Sequence, residues 1–221
     1  MGPTVAIMQP YFLPYAGYFR LISGSDLFVV YDCVQFPRRG WVHRNKLRDP
    51  SGEERWLTLP LKPAPQDVRI DALEFADGAR QELEERLRPF GLAAGGPAAE
   101  LLEEVRRVEG RPVDYIVRLL QSVCGRLETP WNVVRSSSLD LPDDVRGQDR
   151  ILEICRRVGA ERYINAPGGR ELYNPAAFAD AGVQLQFLPA FEGKGGSILQ
   201  RLLDDAPDRV RADLYGWEAE D

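Results

Sequence analysis

The chain has 221 residues, of which 44% are hydrophobic and 28% are charged, ordinary values for a globular protein. A net charge of −6 excludes a general nucleic-acid binder, and a single histidine excludes a histidine-rich metal site. We predict no bound metal. The apolar runs are too short to span a membrane, and three cysteines without CxxC spacing indicate reduced thiols. We therefore expect a cytoplasmic protein without membrane insertion.

The first part of the chain alternates short apolar runs with one helical pattern. Strands are predicted at residues 5–8 and 27–31, with a helix at residues 15–23 between them. Residues 35–50 form a polar, basic loop in this prediction. Residues 55–61 alternate in the manner of a third strand, which Pro60 would confine to a sheet edge.

Three helical patterns then follow without an intervening strand, at residues 79–90, 98–109 and 112–127. Glycine and proline in residues 91–97 separate the first two. We predict one domain over residues 1–221 with a helical insertion at residues 79–127. This insertion would form either a lid over the site or a dimer surface.

Strands and helices alternate again toward the end of the chain. The predicted order is strand 132–139, helix 149–158, strand 162–165, helix 174–181, strand 183–188, helix 197–203 and a frayed acidic tail after residue 215. This alternation predicts an α/β fold with a mostly parallel sheet flanked by helices. Ligands of such sheets bind beyond the carboxyl ends of the strands.

The polar, aromatic loop after the first strand is the first candidate site. Gln9, Tyr11, Tyr15 and Tyr18 follow that strand, and Asp32 follows the next one. A tyrosine-rich core corner is the alternative interpretation. The spacing of Tyr15 and Tyr18 is similar to the H-x-G-H helix start of nucleotidyltransferases, so a Rossmann-like nucleotidyltransferase (HUP) sheet is one variant of the predicted fold. Tyrosines, however, do not replace histidines that stabilise a leaving phosphate.

The basic loop forms the second candidate site, with cations beside an aromatic ring. Its candidate substrate-binding residues are Gln35, Arg38, Trp41, His43, Arg44 and Asn45. Arginines beside an aromatic ring suit a phosphate, a diphosphate or a carboxylate. The alternative is an ordinary solvated loop in which the histidine has a structural role.

Glycines near the end of the chain mark two further candidate anion sites. In the segment from Asn165 to Tyr173, Gly168 and Gly169 permit a positive φ, so their amides could form an anion nest that Arg170 closes. An ordinary turn is the alternative. Lys194 lies between glycines before a predicted helix, a setting that suits a phosphate.

Several segments together resemble the WbqC-like protein family over residues 5 to 200. They are residues 7–19, 30–36, 39–45, 163–173 and 197–199. Cys33 stands where the resemblance leads us to expect a second acidic residue, so no paired-carboxylate mechanism is predicted at Asp32. The resemblance implies biosynthesis of a surface polysaccharide, such as O-antigen, or of a natural product.

We therefore expect a transferase acting on a nucleotide-linked sugar or on an amino-acid-derived or acyl intermediate. Asp32 would be the general base, with Tyr11 and Tyr18 as further catalytic residues. The substrate would be a small anionic molecule, a homodimer is one expected assembly, and the sequence does not identify a cofactor. The alternatives are a non-catalytic carrier of the same intermediate and a nucleotidyl-transferring or adenylate-forming enzyme.

Overall fold

The computed structural model describes residues 2–92 and 98–221. Its strands are β1 (Thr4–Met8), β2 (Leu27–Val30), β3 (Arg44–Arg48), β4 (Glu54–Thr58), β5 (Val133–Arg135), β6 (Arg162–Asn165) and β7 (Gln184–Phe187). Its helices are α1 (Ala16–Ser23), α2 (Ala79–Leu87), α3 (Ala99–Arg106), α4 (Pro112–Arg126), α5 (Gly147–Val158), α6 (Pro175–Asp180), α7 (Ile198–Asp204) and α8 (Pro207–Ala212). Five strands form one parallel sheet in the order β5-β2-β1-β6-β7, and helices flank it. The predicted α/β fold is confirmed.

Alternate residues of the central strands enter two different cores, one on each face of the sheet. Ala6 and Ile164 join the core that α1, α4 and α7 cover. Val5, Ile7 and Tyr163 join the core that α5 and α6 cover. Burial on both faces explains why β1 is a continuous apolar run with no polar alternation.

The strand order reverses beside β1, and this reversal positions the site. From β1 the chain moves outward to β2 and β5, and then returns to form β6 and β7 on the other side of β1. The crossovers from β1 and from β6 therefore lead away from each other. A crevice opens between the carboxyl ends of β1 and β6, which is where ligands bind in open α/β sheets.

The helical block lies inside the connection from β2 to β5. The three predicted helices are present as α2, which continues into a 3-10 turn at Arg88–Phe90, and as α3 and α4. The predicted linker at residues 91–97 lies largely outside the described residues. In α4, apolar side chains recur at helical spacing and are buried, and Tyr115 ties α4 to α3 by donating to the Val105 carbonyl at 2.7 Å.

Two predictions about local structure are wrong. The basic loop contains strand β3, which pairs antiparallel with β4 as a separate hairpin. In β3 only Leu47 is apolar, so the alternation was not visible in the sequence. The tail after residue 215 is docked instead of frayed, because Glu220 exchanges backbone hydrogen bonds with Phe187 at 2.7 and 2.8 Å. Helix α8 was not predicted. Within residues 2–92 and 98–221, no helix has both the length and the apolar character needed to cross a membrane.

Candidate functional site

A cavity of about 410 Å³, here named the switch-point cavity, lies at the carboxyl ends of β1 and β6. Eight of the predicted site residues line it: Gln9, Tyr11, Tyr15, Tyr18, Asn165, Gly168, Gly169 and Tyr173. They come from segments more than 140 residues apart, and the pairing of β1 with β6 brings them together. Tyr31, Ile151 and Leu172 also line the cavity and were not predicted. Tyr31 directly follows β2, so its position at a strand end was the available signal.

The phenols of Tyr11, Tyr18 and Tyr173 in the switch-point cavity are protonated at neutral pH, because burial raises the pKa of each. Tyr18 is fully buried, and its hydroxyl donates to the backbone carbonyl of Gln9 at 2.9 Å. Its ring lies 5.5 Å from the ring of Tyr11. Burial raises the pKa of Tyr18 well above its ordinary value, and burial also raises the pKa of Tyr11 and of Tyr173.

Asn165 is fixed at the end of β6 by contacts on both ends of its amide. Its Oδ1 accepts from the Ala166 amide at 2.7 Å, and its Nδ2 donates to the Tyr173 hydroxyl at 3.3 Å. Gly169 lies directly against this side chain, because a Cβ at that position would stand 2.5 Å from Asn165 Nδ2. The predicted anion nest is wrong: Gly168 and Gly169 lie in a 3-10 helix without a positive φ, and the Gly169 amide donates to Ala166.

Gly17 sets the position of Tyr15 and was not predicted as a site residue. The Tyr15 ring packs edge-on against Phe191 at 5.4 Å, and both rings cover Gly17. A Cβ on Gly17 would overlap the Tyr15 ring and stand 2.8 Å from Phe191. Glycine at this helical position therefore lets the Tyr15 ring lie where it forms a cavity wall.

Gly17→Ala is expected to push the Tyr15 ring out of the cavity wall while leaving the fold intact. The free energy of unfolding should change by less than about 1 kcal/mol, because alanine gains roughly 0.5–1 kcal/mol over glycine within a helix and offsets the crowding. Ring-proton chemical shifts of Tyr15 and Tyr11 measure the displacement. Gly125→Ala in α4 is the matched control, since a Cβ there meets no atom within 4 Å. Unchanged tyrosine shifts in Gly17→Ala would contradict the prediction.

A second cavity of about 380 Å³, here named the hairpin cavity, lies between the β3–β4 hairpin and residues 195–196. Tyr11 and Tyr15 line it as well as the switch-point cavity. Trp41 and Asn45 were predicted site residues and belong to its walls. Its other lining residues are Pro14, Lys46, Glu54, Gly195 and Gly196. Glu54 was missed because β3, the strand that pairs with β4, was predicted as a loop and the predicted strand began only at residue 55.

Asn45 positions the loop that carries the tyrosines. The loop residue Leu13 has a φ of +48°, an uncommon conformation for a residue with a Cβ. Its carbonyl accepts from Asn45 Nδ2 at 2.6 Å and from the Ser197 hydroxyl at 2.9 Å. Asn45 also donates to the Phe12 carbonyl at 3.1 Å. These contacts stabilise the left-handed conformation at Leu13. Both hydrogen bonds that the buried Asn45 side chain donates go to the backbone of this loop.

Asp32 lines neither cavity. Its side chain is fully buried, and its carboxylate accepts from Arg135 Nε at 2.5 Å, from the Ser136 and Ser137 hydroxyls at 3.0 Å and from the Ser137 amide at 2.9 Å. The strand pair β2–β5 brings these donors to it. These bonds join the end of β2 to the end of β5, so the Asp32 carboxylate has a structural role in this geometry.

Of the predicted site residues in the basic loop, Trp41 and Asn45 line the hairpin cavity, and the others contact other parts of the protein. Gln35 and Arg38 donate to backbone carbonyls of residues 64–66. Burial, with Arg44 and Arg86 nearby, lowers the pKa of His43 to about 4, so its ring is neutral at physiological pH. The Arg44 guanidinium lies 4.2 Å from the centroid of the Trp56 ring.

The two predicted cations near the end of the chain have partners outside both cavities. Arg170 pairs with Glu220 at 2.5 Å and lies 4.6 Å from the centroid of the Phe187 ring. Lys194 pairs with the buried Asp205 at 3.1 Å. In the described parts of the chain, no group of three or more His, Cys, Asp or Glu side chains is arranged to hold a metal ion.

Comparisons with known proteins match most of the chain. The chain is 25% identical to the uncharacterized protein Rv1507c of Mycobacterium tuberculosis (strain ATCC 25618 / H37Rv) over 189 residues, 82% of this chain and 80% of that protein. No solved structure matches the chain significantly. The model of the WbqC-like protein family matches residues 9–192, which include the tyrosine loop, the hairpin and the end of β6. The chain therefore belongs to the WbqC-like protein family.

Proposed function

We propose that this protein is a transferase of small-molecule biosynthesis whose substrate binds in the switch-point cavity. The observation that carries the proposal is the position of this cavity, at the crevice where the strand order reverses. Gln9 and Asn165 offer amide donors and acceptors on its walls, and the tyrosines offer hydroxyls. Such a wall suits the hydroxyl or amide groups of a nucleotide-linked sugar or an acyl intermediate.

The proposed reaction transfers a group from a donor molecule to an amine or hydroxyl acceptor. The nitrogen or oxygen of the acceptor forms a bond to the transferred group. The bond between that group and the leaving group breaks, and the leaving group keeps the electron pair. The acceptor loses one proton, and the leaving group gains one. Tyr11 and Tyr173 are half-buried phenols with a raised pKa, so both are suited to donate a hydrogen bond to that leaving group. Asp32 is given a structural role in this proposal, because four donors occupy its carboxylate.

The proposed pathway makes a surface polysaccharide or a natural product in the cytoplasm. Membership of the family and the three free, buried cysteines support this setting, since reduced thiols are the rule in that compartment. The proposal has three further parts. The fold is related to Rossmann-like nucleotidyltransferases, and residues 1–221 form one domain with a helical insertion. The protein forms a homodimer.

A ligand panel tests the proposal by thermal unfolding, with UDP- and TDP-sugars, acyl-CoA, ATP and CTP, each with and without Mg²⁺. A ligand at a hundred times its Kd stabilises the fold by ~2.7 kcal/mol, which shifts the midpoint measurably. We expect a shift with a nucleotide-sugar or an acyl thioester that Asn165→Ala removes. Asn132→Ala is the matched control. The Asn132 side-chain amide donates to the Asp26 carbonyl at the amino ends of β2 and β5, whereas the cavity lies at the carboxyl ends of β1 and β6. A shift that survives in Asn165→Ala would refute binding in this cavity.

One observation favours a second candidate function, a non-catalytic carrier of the same intermediate. Among the described residues, the walls of the switch-point cavity hold no carboxylate and no histidine. A carrier would bind the same ligand with no turnover on addition of acceptors. A nucleotidyl-transferring enzyme would instead release pyrophosphate from ATP or CTP, which a coupled phosphate assay detects.

A further inference from the structure

Four of the nine residues that line the hairpin cavity carry an aromatic or proline ring. Tyr11, Tyr15 and Trp41 contribute three rings, and Pro14 contributes a fourth. Trp41 is 43% exposed although its ring packs against Trp56 at 5.4 Å, so one side of it faces the open cavity. Walls of this kind bind an apolar side chain and release water in doing so.

Among the described residues that line this cavity, the charged side chains are one pair of opposite charges, Lys46 and Glu54. Lys46 Nζ lies 3.3 Å from Glu54 Oε2, and both side chains are about half exposed, at 41% and 50%. They lie diagonally across the hairpin, because Lys46 in the middle of β3 is in register with Trp56, and Glu54 at the start of β4 is in register with Arg48. An exposed ion pair contributes little to stability, so a ligand can insert between its members at low cost.

This combination of groups is complementary to one class of small molecule. A polyphosphate would meet the Glu54 carboxylate beside the only lysine of the described cavity wall, and like charges repel. A neutral sugar would use neither charge. A zwitterion carries an ammonium and a carboxylate close together. Its carboxylate can pair with the Lys46 ammonium while its own ammonium pairs with the Glu54 carboxylate.

We infer that the hairpin cavity binds a free α-amino acid with an apolar side chain, with its carboxylate at Lys46, its ammonium at Glu54 and its side chain among the aromatic rings. The inference rests on the proposed function, because it assigns the amine-bearing acceptor to a second cavity. Tyr11 and Tyr15 form walls of both cavities, so the two proposed sites adjoin each other.

Calorimetric titration of the whole chain, with no donor present, tests the inference. The probes are L-phenylalanine and L-leucine, then phenylalanine amide, which lacks the carboxylate, and 3-phenylpropanoate, which lacks the ammonium. We expect the amino acids to bind and each analogue of phenylalanine to bind about tenfold or more weakly, since each loses a hydrogen bond to a charged group. Glucose is expected not to bind.

Two charge-neutral variants make the test specific to the two side chains. Lys46→Met should abolish the preference for phenylalanine over its amide, and Glu54→Gln should abolish the preference over 3-phenylpropanoate. Lys62→Met is the matched control, because Lys62 pairs with Glu74 at 3.0 Å and is 45% exposed, and it should leave affinity unchanged. No binding of either amino acid, preferences that persist in both variants, or binding of glucose would overturn the inference. The nucleotide-sugar and acyl-CoA panel, judged on Asn165→Ala, would still decide the proposed function.

Discussion

Replacing Asp32 with asparagine is expected to lower the free energy of unfolding by about 3 kcal/mol, the lower end of the effect of breaking a buried ion pair. The lower end applies because Arg135 is 31% exposed and keeps its second partner, Asp114. The NH₂ group of the new asparagine would replace a carboxylate oxygen that accepts hydrogen bonds. This NH₂ group would then point at another donor, and one buried hydrogen-bonding group would lose its partner. The end of β2 would then separate from the turn at Ser136–Ser138.

Chemical denaturation at neutral pH measures this loss, and Asp114→Asn is its matched control. Asp114 binds the same arginine at 2.5 Å but is 49% exposed, so its replacement should cost no more than about 1 kcal/mol. At a temperature where Asp32→Asn is still folded, we expect ligands of the switch-point cavity to bind normally. An unchanged free energy of unfolding together with lost turnover would restore Asp32 as the general base.

Gly169→Ala is expected to have the largest effect on ligand binding. The new Cβ would stand 2.5 Å from Asn165 Nδ2 and 3.4 Å from Tyr173 Cε2. The Asn165 side chain has little room to move, because its Oδ1 is bound to the Ala166 amide. We expect its bond to Tyr173 to break, a loss of about 1–3 kcal/mol in stability from overpacking and a decrease in ligand affinity of at least about tenfold.

Gly125→Ala in α4 is the matched control for this variant, because Gly125 lines neither cavity. A Cβ at residue 125 meets no atom within 4 Å, and its φ is not in the left-handed region. This variant should keep the wild-type affinity and gain about 0.5–1 kcal/mol in stability at most. The side-chain amide resonances of Asn165 in an NMR spectrum report the displacement without a ligand. Unmoved resonances in Gly169→Ala would show that the contact relaxes elsewhere.

Elements with a regular apolar period were predictable, and elements held by distant partners were not. Strand β2, residues 27–30, follows from its sequence to within one residue, because it is an apolar run of the kind that a buried parallel strand requires. Strand β3 has one apolar residue in five, and its pairing with β4 decides its structure. The docked tail depends on the edge of β7, which no local pattern in residues 216–221 reveals.

The candidate site divides in the same way. Gln9 and Asn165 could be placed at one cavity because Gln9 directly follows one predicted parallel strand and Asn165 is the last residue of another. The partners of Asp32 come from residues 135–137, and the partner of Lys194 is Asp205. Sequence reasoning recognised these charged residues but not the ion pairs that occupy them. Gly169 was chosen for a positive φ, whereas the structure uses it for a close approach.

The two outer strands of the sheet also determine how copies of this chain can associate. An unpaired strand edge is a template for strands of other molecules and a common start of aggregation. Here β5 is only three residues long, and the edge of β7 is occupied by Glu220 at Phe187. A strand of three residues offers few unpaired backbone groups, and the Phe187 end of β7 is already bonded within the chain. Both features disfavour edge-to-edge association, so we expect a homodimer to form through helices or loops instead of one continuous sheet.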